Sequence, residues 1–307
     1  MRLRILKIVS IVVLVTSVEI QAQQDAQFTQ YMYNTVVINP AYAGSRNVLS
    51  INGVHRAQWV GLEGAPRTQT LSINSPMGKR VGMGITVVRD ELGPSSETYA
   101  NFDISYTLPI NDEGTNFAFG VKGGLYSLNV DFNKLLIYNP TDVAIQQNNV
   151  NKTSPIIGVG GYLYTDTWYV GISTPNLLKT DHYTNSSVSK ASEDMHLYGI
   201  VGYVFDLNPD LKFKPAALIK MVKGAPLSFD LSANFLIRDK ITLGASYRLD
   251  AAISGLAGFQ ISEKMMLGYA YDFDTTDIRG YQSGSHEFFL RYELISRVKG
   301  KVSPRFF

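Results

Sequence analysis

The residues that could do chemistry are few. The 307-residue chain has no cysteine and four histidines, so thiolate zinc sites, disulfides and cysteine nucleophiles are excluded. His286-Glu287 begins like a zinc-protease motif, but Phe288, Phe289 and Leu290 follow and no second histidine completes it. In an extended chain, alternation also puts His286 and Glu287 on opposite faces. No G-x-S-x-G or G-x-x-x-x-G-K pattern occurs, and His55 lacks a nameable serine partner. The sequence therefore does not read as an enzyme and implies no cofactor or metal.

Ionisable residues recur instead at alternate positions among apolar ones. Arg56, Asp103, Lys122, Asp230, Arg248, Asp272, Glu287, Arg291 and Glu293 share a face within their segments. Both signs are present. They read either as an internally satisfied ion network or as a polar slot for a peptide.

The elements carrying them are strands. In 100–108, Ala100, Phe102, Ile104, Tyr106 and Leu108 oppose Asn101, Asp103, Ser105 and Thr107. In 285–295, Phe288, Leu290, Tyr292 and Leu294 oppose Glu287, Phe289, Arg291 and Glu293. Such period-two alternation, broken by turn residues, recurs along the chain. Strands are expected near 48–59, 67–74, 80–89, 96–108, 116–130, 155–165, 167–174, 195–206, 211–222, 226–237, 240–249, 252–261, 264–273 and 285–295. The count is fourteen, an even number. A secreted sandwich and a membrane barrel both alternate, but a barrel turns its apolar face to lipid. Segments of about ten residues, the length of a tilted membrane-crossing strand, favour the barrel. So do aromatics near strand ends at Trp59, Tyr99, Trp168, Tyr169, Tyr247 and Tyr292. Gaps after even-numbered strands are short and most gaps after odd ones are longer, as for a barrel with periplasmic turns and outer loops. The fold expected is an all-β transmembrane antiparallel barrel spanning residues 47–296.

Residues 1–22 read as a secretory signal peptide cleaved after Ala22: Arg2, Arg4 and Lys7 precede an apolar run from Ile8 to Val18 that is too short to span a bilayer. Its removal takes three cations and Glu19, which leaves a mature chain of zero net charge. Electrostatic capture of nucleic acid has no support. The expected location is the outer membrane of a Gram-negative bacterium, with the lipid bilayer as one partner.

Three spaced blocks carry a resemblance. The opening QDAQFTQYMYNTVVINPAYAGS, the stretch RAQWVGLEGAPRTQTLSINSP at 56–76 and GYAYDFDTTDIRGYQSGSHEFFLRYEL at 268–294 resemble the PorP/SprF family of the type IX secretion system, as does the SPRFF end. The resemblance implies a fourteen-stranded barrel of the fatty-acid-transporter type. It also implies a part in protein secretion, and in some members in gliding motility. The implied partners are a secreted cargo adhesin or its C-terminal domain, and periplasmic ring or lipoprotein components. A transporter of hydrophobic or small solutes on the same scaffold is the alternative.

Two segments flank the barrel. Residues 23–46 are expected either as a plug or as a periplasmic arm. The plug turn would lie at Asn39 and Pro40, in an NPA triplet that resembles the hatch of fatty-acid-transporter barrels, with Gly44 permitting the backbone to leave it. Residues 297–307 are expected as a periplasmic tail. The loops 131–154 and 175–194 are the candidates for cargo selectivity.

Overall fold

The computed structural model describes residues 27–134, 150–178, 180–181, 192–193 and 195–294. The leader with its cleavage point, the tail 297–307 and the central parts of both long loops lie outside the described residues. The first strands are β1 (Leu49–Ala57), β2 (Arg67–Pro76), β3 (Val81–Leu92), β4 (Ser95–Pro109), β5 (Asn116–Val130), β6 (Val150–Tyr164) and β7 (Trp168–Thr174). Then come β8 (His196–Tyr203, resuming as Phe205–Asn208), β9 (Leu211–Val222), β10 (Ser228–Ile237), β11 (Ile241–Arg248), β12 (Ala252–Ser262), β13 (Met265–Asp274) and β14 (Ser285–Leu294). Both parts of β8 pair with β9, so the fifteen hydrogen-bonded segments make fourteen strands.

Each strand pairs antiparallel with its sequence neighbours, and β1 pairs with β14, Leu49 opposite Leu294 and Ala57 opposite His286. The sheet closes into a cylinder without a free lateral edge along most of its height. The turns follow local chemistry. Arg238 and Asp239 take φ of 50° and 52° in the β10–β11 hairpin, the conformation a tight hairpin turn requires.

Burial along the strands separates the two architectures that alternation leaves open. On β4, Phe102 and Ile104 are 40% and 46% exposed while Asp103 between them is 0% exposed. On β14, Phe288 and Leu290 are exposed and Glu287 and Arg291 are buried. A water-soluble sandwich buries its apolar face; here the apolar face is outside and the polar face inside, the pattern of a barrel solvated by lipid. Among the described residues no helix is long and apolar enough to cross a membrane.

The observed strands differ from the sequence reading mainly at their long-loop ends. β6 begins at Val150, because the polar stretch 150–154 continues the ladder opposite Tyr126 to Val130 of β5. Periodicity of apolar residues has no purchase there. Two expected girdle aromatics also turn inward: Tyr169 is buried, and Tyr99 packs on the buried Tyr126 ring at 4.9 Å. Tyr247 and Tyr292 do face outward.

Candidate functional site: the barrel interior

The chain ahead of β1 runs as a 3-10 turn (Tyr31–Tyr33), one α-helical turn (Thr35–Ile38) and a second 3-10 turn (Pro40–Tyr42). Almost every residue from Phe28 to Arg46 is buried. Its partners lie on inward faces all round the cylinder, from Ser72 on β2 to Glu287 on β14. With so many bonds to strands on opposite sides, this segment sits among the inward faces.

The Asn39-Pro40 turn is built from local and distant contacts. Asn39 Oδ1 accepts the Ala41 N–H at 2.9 Å, an N-cap on the 3-10 turn, and Asn39 Nδ2 donates to the Gly161 carbonyl at 3.1 Å. Pro40 occupies the first position of that turn, where its missing N–H costs nothing. Gly44 leaves the turn at φ +73°. Ser105 and Ser173 donate to the carbonyls of Ala43 and Ile38 at 2.7 and 2.8 Å. The wall makes room with glycine: a Cβ at Gly82 would overlap the Ala43 carbonyl, one at Gly120 the Ala41 backbone, and one at Gly160 the Asn39 amide.

The nine ionisable candidates all face inward, but in separate groups rather than one network. Arg56 bridges β13 and β14, with Nη2 2.6 Å from Asp272 Oδ2 and Nη1 3.2 Å from Glu287 Oε2. The same carboxylates hold the entering chain. Glu287 accepts the N–H groups of Thr29 and Gln30 at 2.8 Å each, and the Thr29 hydroxyl donates to Asp272 at 2.8 Å. Elsewhere Lys122 Nζ lies 3.2 Å from Asp103 Oδ1 and donates to the Val37 carbonyl at 3.2 Å. Arg248 Nε meets Asp230 Oδ1 at 2.7 Å. At the short-turn end Glu293 Oε1 receives Arg46 Nε at 2.5 Å and Arg291 Nε at 3.5 Å.

Sequence reading missed several members. Arg46 and Thr29 lie outside the strands, where period-two alternation gives no inward face to read. Lys214 on β9 is fully buried, with Nζ 4.7 Å above the Tyr33 ring. Pro215 beside it obscures the alternation. The glycines at inward positions of β3, β5 and β6 were the available signal for close backbone approach. Burial pushes the Tyr31 phenol above its ordinary range, and the hydroxyl pairs with Ser232 Oγ at 3.3 Å. Among the described residues no group of three or more histidine, aspartate or glutamate side chains is arranged to hold a metal ion.

A closed antiparallel cylinder with an apolar exterior and a polar, occupied interior defines a membrane β-barrel. Its residues 20–292 match the family model described as type IX secretion system membrane protein PorP/SprF, and the chain belongs to that family. No curated protein matches the sequence. Among solved structures, an outer membrane protein of Acinetobacter baumannii superposes with TM-score 0.49 at 8% identity, covering 81% of this chain and 98% of that one. The Ralstonia pickettii toluene transporter TbuX gives 0.47 at 10% identity, covering 83% and 91%. A Pseudomonas aeruginosa FadL homologue gives 0.42 at 15% identity, covering 84% and 94%.

Proposed function

We propose that this barrel resides in the outer membrane, after removal of residues 1–22, as a cargo-handling component of the type IX secretion machinery. Its long-loop end faces the cell surface and holds the C-terminal domain of a secreted adhesin. Its short-turn end meets periplasmic ring or lipoprotein components. Residues 23–46 serve as a plug. In organisms that glide, the same attachment couples the adhesin to movement.

Family membership supports the secretion role, and one observation favours a protein-holding barrel over a solute transporter. Glu287, Asp272, Lys122, Ser105 and Ser173 each make a hydrogen bond to the chain's own segment 29–43, so these inward groups bind the segment rather than a passing solute. The separate buried ion groups then brace the barrel around its filling. They do not line a peptide slot.

Deleting the gene and comparing surface-exposed proteins with fatty-acid uptake tests this reading. Loss of surface adhesins with normal uptake is expected. Normal surface proteins with impaired uptake would establish the transporter instead.

A further inference from the structure

Among the described residues, the ladder beside β7 is shorter than β6 at the long-loop end of the barrel. That strand stops at Thr174, and β6 pairs with it only from Val159 to Tyr164. Leu177 N–H donates to the Ile157 carbonyl at 2.7 Å, and beyond this bond no strand among the described residues pairs with 150–156 on the side away from β5. Because backbone groups alternate in direction along a strand, Asn151 and Thr153 turn theirs to the same open side as Ile157. Pro155 has no N–H to offer there.

A partly open cavity of about 70 Å³ lies at this place. Ile156, Pro175, Asn176 and His196 come to it from the strand ends around the notch, and Val37 and Ile38 from the interior segment. Its wall is mostly apolar, yet two amides in it are unsatisfied. Asn101 Oδ1 and Asn176 Nδ2 are buried without a hydrogen-bond partner, in residues 9% and 8% exposed. Asn176 Oδ1 is used, accepting from Leu178 N–H at 3.1 Å, so the side chain's orientation is fixed and its amino group is left over. Lys122 on the same wall is occupied by Asp103 and the Val37 carbonyl.

Leaving a buried donor and a buried acceptor unmade is costly, so both atoms favour a partner that satisfies them. One donor, one acceptor and a small apolar hollow match the chemistry of a peptide group carrying a short aliphatic side chain. Its carbonyl would accept from Asn176 Nδ2, and its N–H would donate to Asn101 Oδ1. The volume is about half that of a 150 Å³ cavity that admits benzene, which suits a side chain of the alanine-to-valine class. The stretch 150–156 of β6, unpaired on this side among the described residues, adds backbone groups on which an extended chain can continue, as in strand addition to a sheet edge.

We infer that the notch beside β7 is a receptor for an extended segment of a partner protein, which places one small aliphatic residue in this cavity and pairs its backbone with Asn101 and Asn176. The inference rests on the cargo-holding reading and specifies where the cargo is gripped.

The test uses the full-length chain in two settings. Purified in detergent micelles, it is titrated with N-acetyl-valine methylamide and separately with butyrate, and the thermal unfolding midpoint is read. The amide is expected to raise the midpoint by a few degrees at saturation. N101L should weaken its binding about tenfold, equivalent to about 1.4 kcal/mol for one lost hydrogen bond. V88M, which enlarges a side chain lining the hollow and leaves both amides in place, should abolish binding, and unheated gel mobility checks that each variant folds. A shift with butyrate alone, or with neither compound, would mean that the hollow holds lipid or water, and would overturn the inference.

In cells, a photo-reactive residue replaces Thr153, which is exposed on the same stretch of β6 and does not line the hollow. Cross-linked peptides identified by mass spectrometry should come from an extended, small-aliphatic stretch of a secreted protein. Cross-links only to lipid or to residues 182–191 of the same chain would also overturn the inference. If N101L and V88M cells keep normal surface adhesins while gene deletion removes them, the notch is wrong and the secretion role stands. If deletion itself leaves adhesins in place, the secretion role is what fails.

Discussion

Arg56 Nη2 lies 2.6 Å from Asp272 Oδ2, both side chains buried inside the barrel. The pair ties β1 to β13 across β14, and through the Thr29 hydroxyl, which Asp272 also accepts, it ties the wall to the chain that enters the interior. A buried ion pair is weak evidence for net stability, but breaking one side of it is costly.

Arg56→Met is therefore expected to destabilise the folded barrel by about 3–5 kcal/mol, because Asp272 and Glu287 are left buried without their cation. Urea titration in micelles, read by unheated gel mobility, measures the loss. The double variant Arg56→Met with Asp272→Asn should recover part of it. An additive double variant would show that the two residues do not act as a pair.

The glycine-lined seat of the Asn39-Pro40 turn gives a second expectation. Gly160→Val forces a side chain into the space held by the Asn39 amide, and the turn must leave its seat. The barrel should still form, since the strand ladders do not depend on that contact. Proteolysis should then cut within 28–46, and uptake of small hydrophilic solutes should rise, as it should on deleting residues 23–45. Unchanged permeability in both variants would end the plug proposal.

Asn39 itself discriminates between its two bonds. Asn39→Ala removes the cap on Ala41 and the bond to Gly161, with an expected cost of about 1 kcal/mol for the cap alone. Asn39→Asp keeps the acceptor but sets a buried carboxylate against the Gly161 carbonyl, so it should be the more damaging of the two. Thermal midpoints of the two variants, measured side by side, give the order.

On the outer surface, Leu290→Arg on β14 should cost about 2–4 kcal/mol in folding into vesicles, as expected near the bilayer midplane. Ile253→Arg at the long-loop end of β12 should cost about 0–1 kcal/mol, because the guanidinium reaches the interface. Equal costs at both sites would argue against a bilayer spanning this height.

Much of this architecture was legible because the barrel imposes one rule on every strand. Alternation alone puts Phe102 and Asp103 on opposite faces and the nine ionisable residues on the polar one, and segment lengths suited to crossing a bilayer turn that face inward. What alternation could not show is who partners whom. Arg56 meets Asp272 and Glu287 because β1 closes on β14, a contact more than two hundred residues apart in sequence. Arg46, Thr29 and the seating of Asn39 against Gly161 depend on a non-strand segment whose path no periodicity records. Tyr169 shows the opposite failure: an aromatic at a strand end reads as a girdle residue, yet its position in the alternation points it inward.

The most direct measurement is a spin-label scan of 100–106 on β4 in lipid vesicles, comparing collision with oxygen, which concentrates in acyl chains, and with a water-soluble nickel chelate. Labels at 102 and 104 should show high oxygen and low nickel accessibility, and those at 101, 103 and 105 should be low in both, shielded by the filled interior. Nickel reaching 102 and 104, or a mature chain that stays monodisperse in buffer without surfactant, would contradict a lipid-facing barrel closed around its own N-terminal segment.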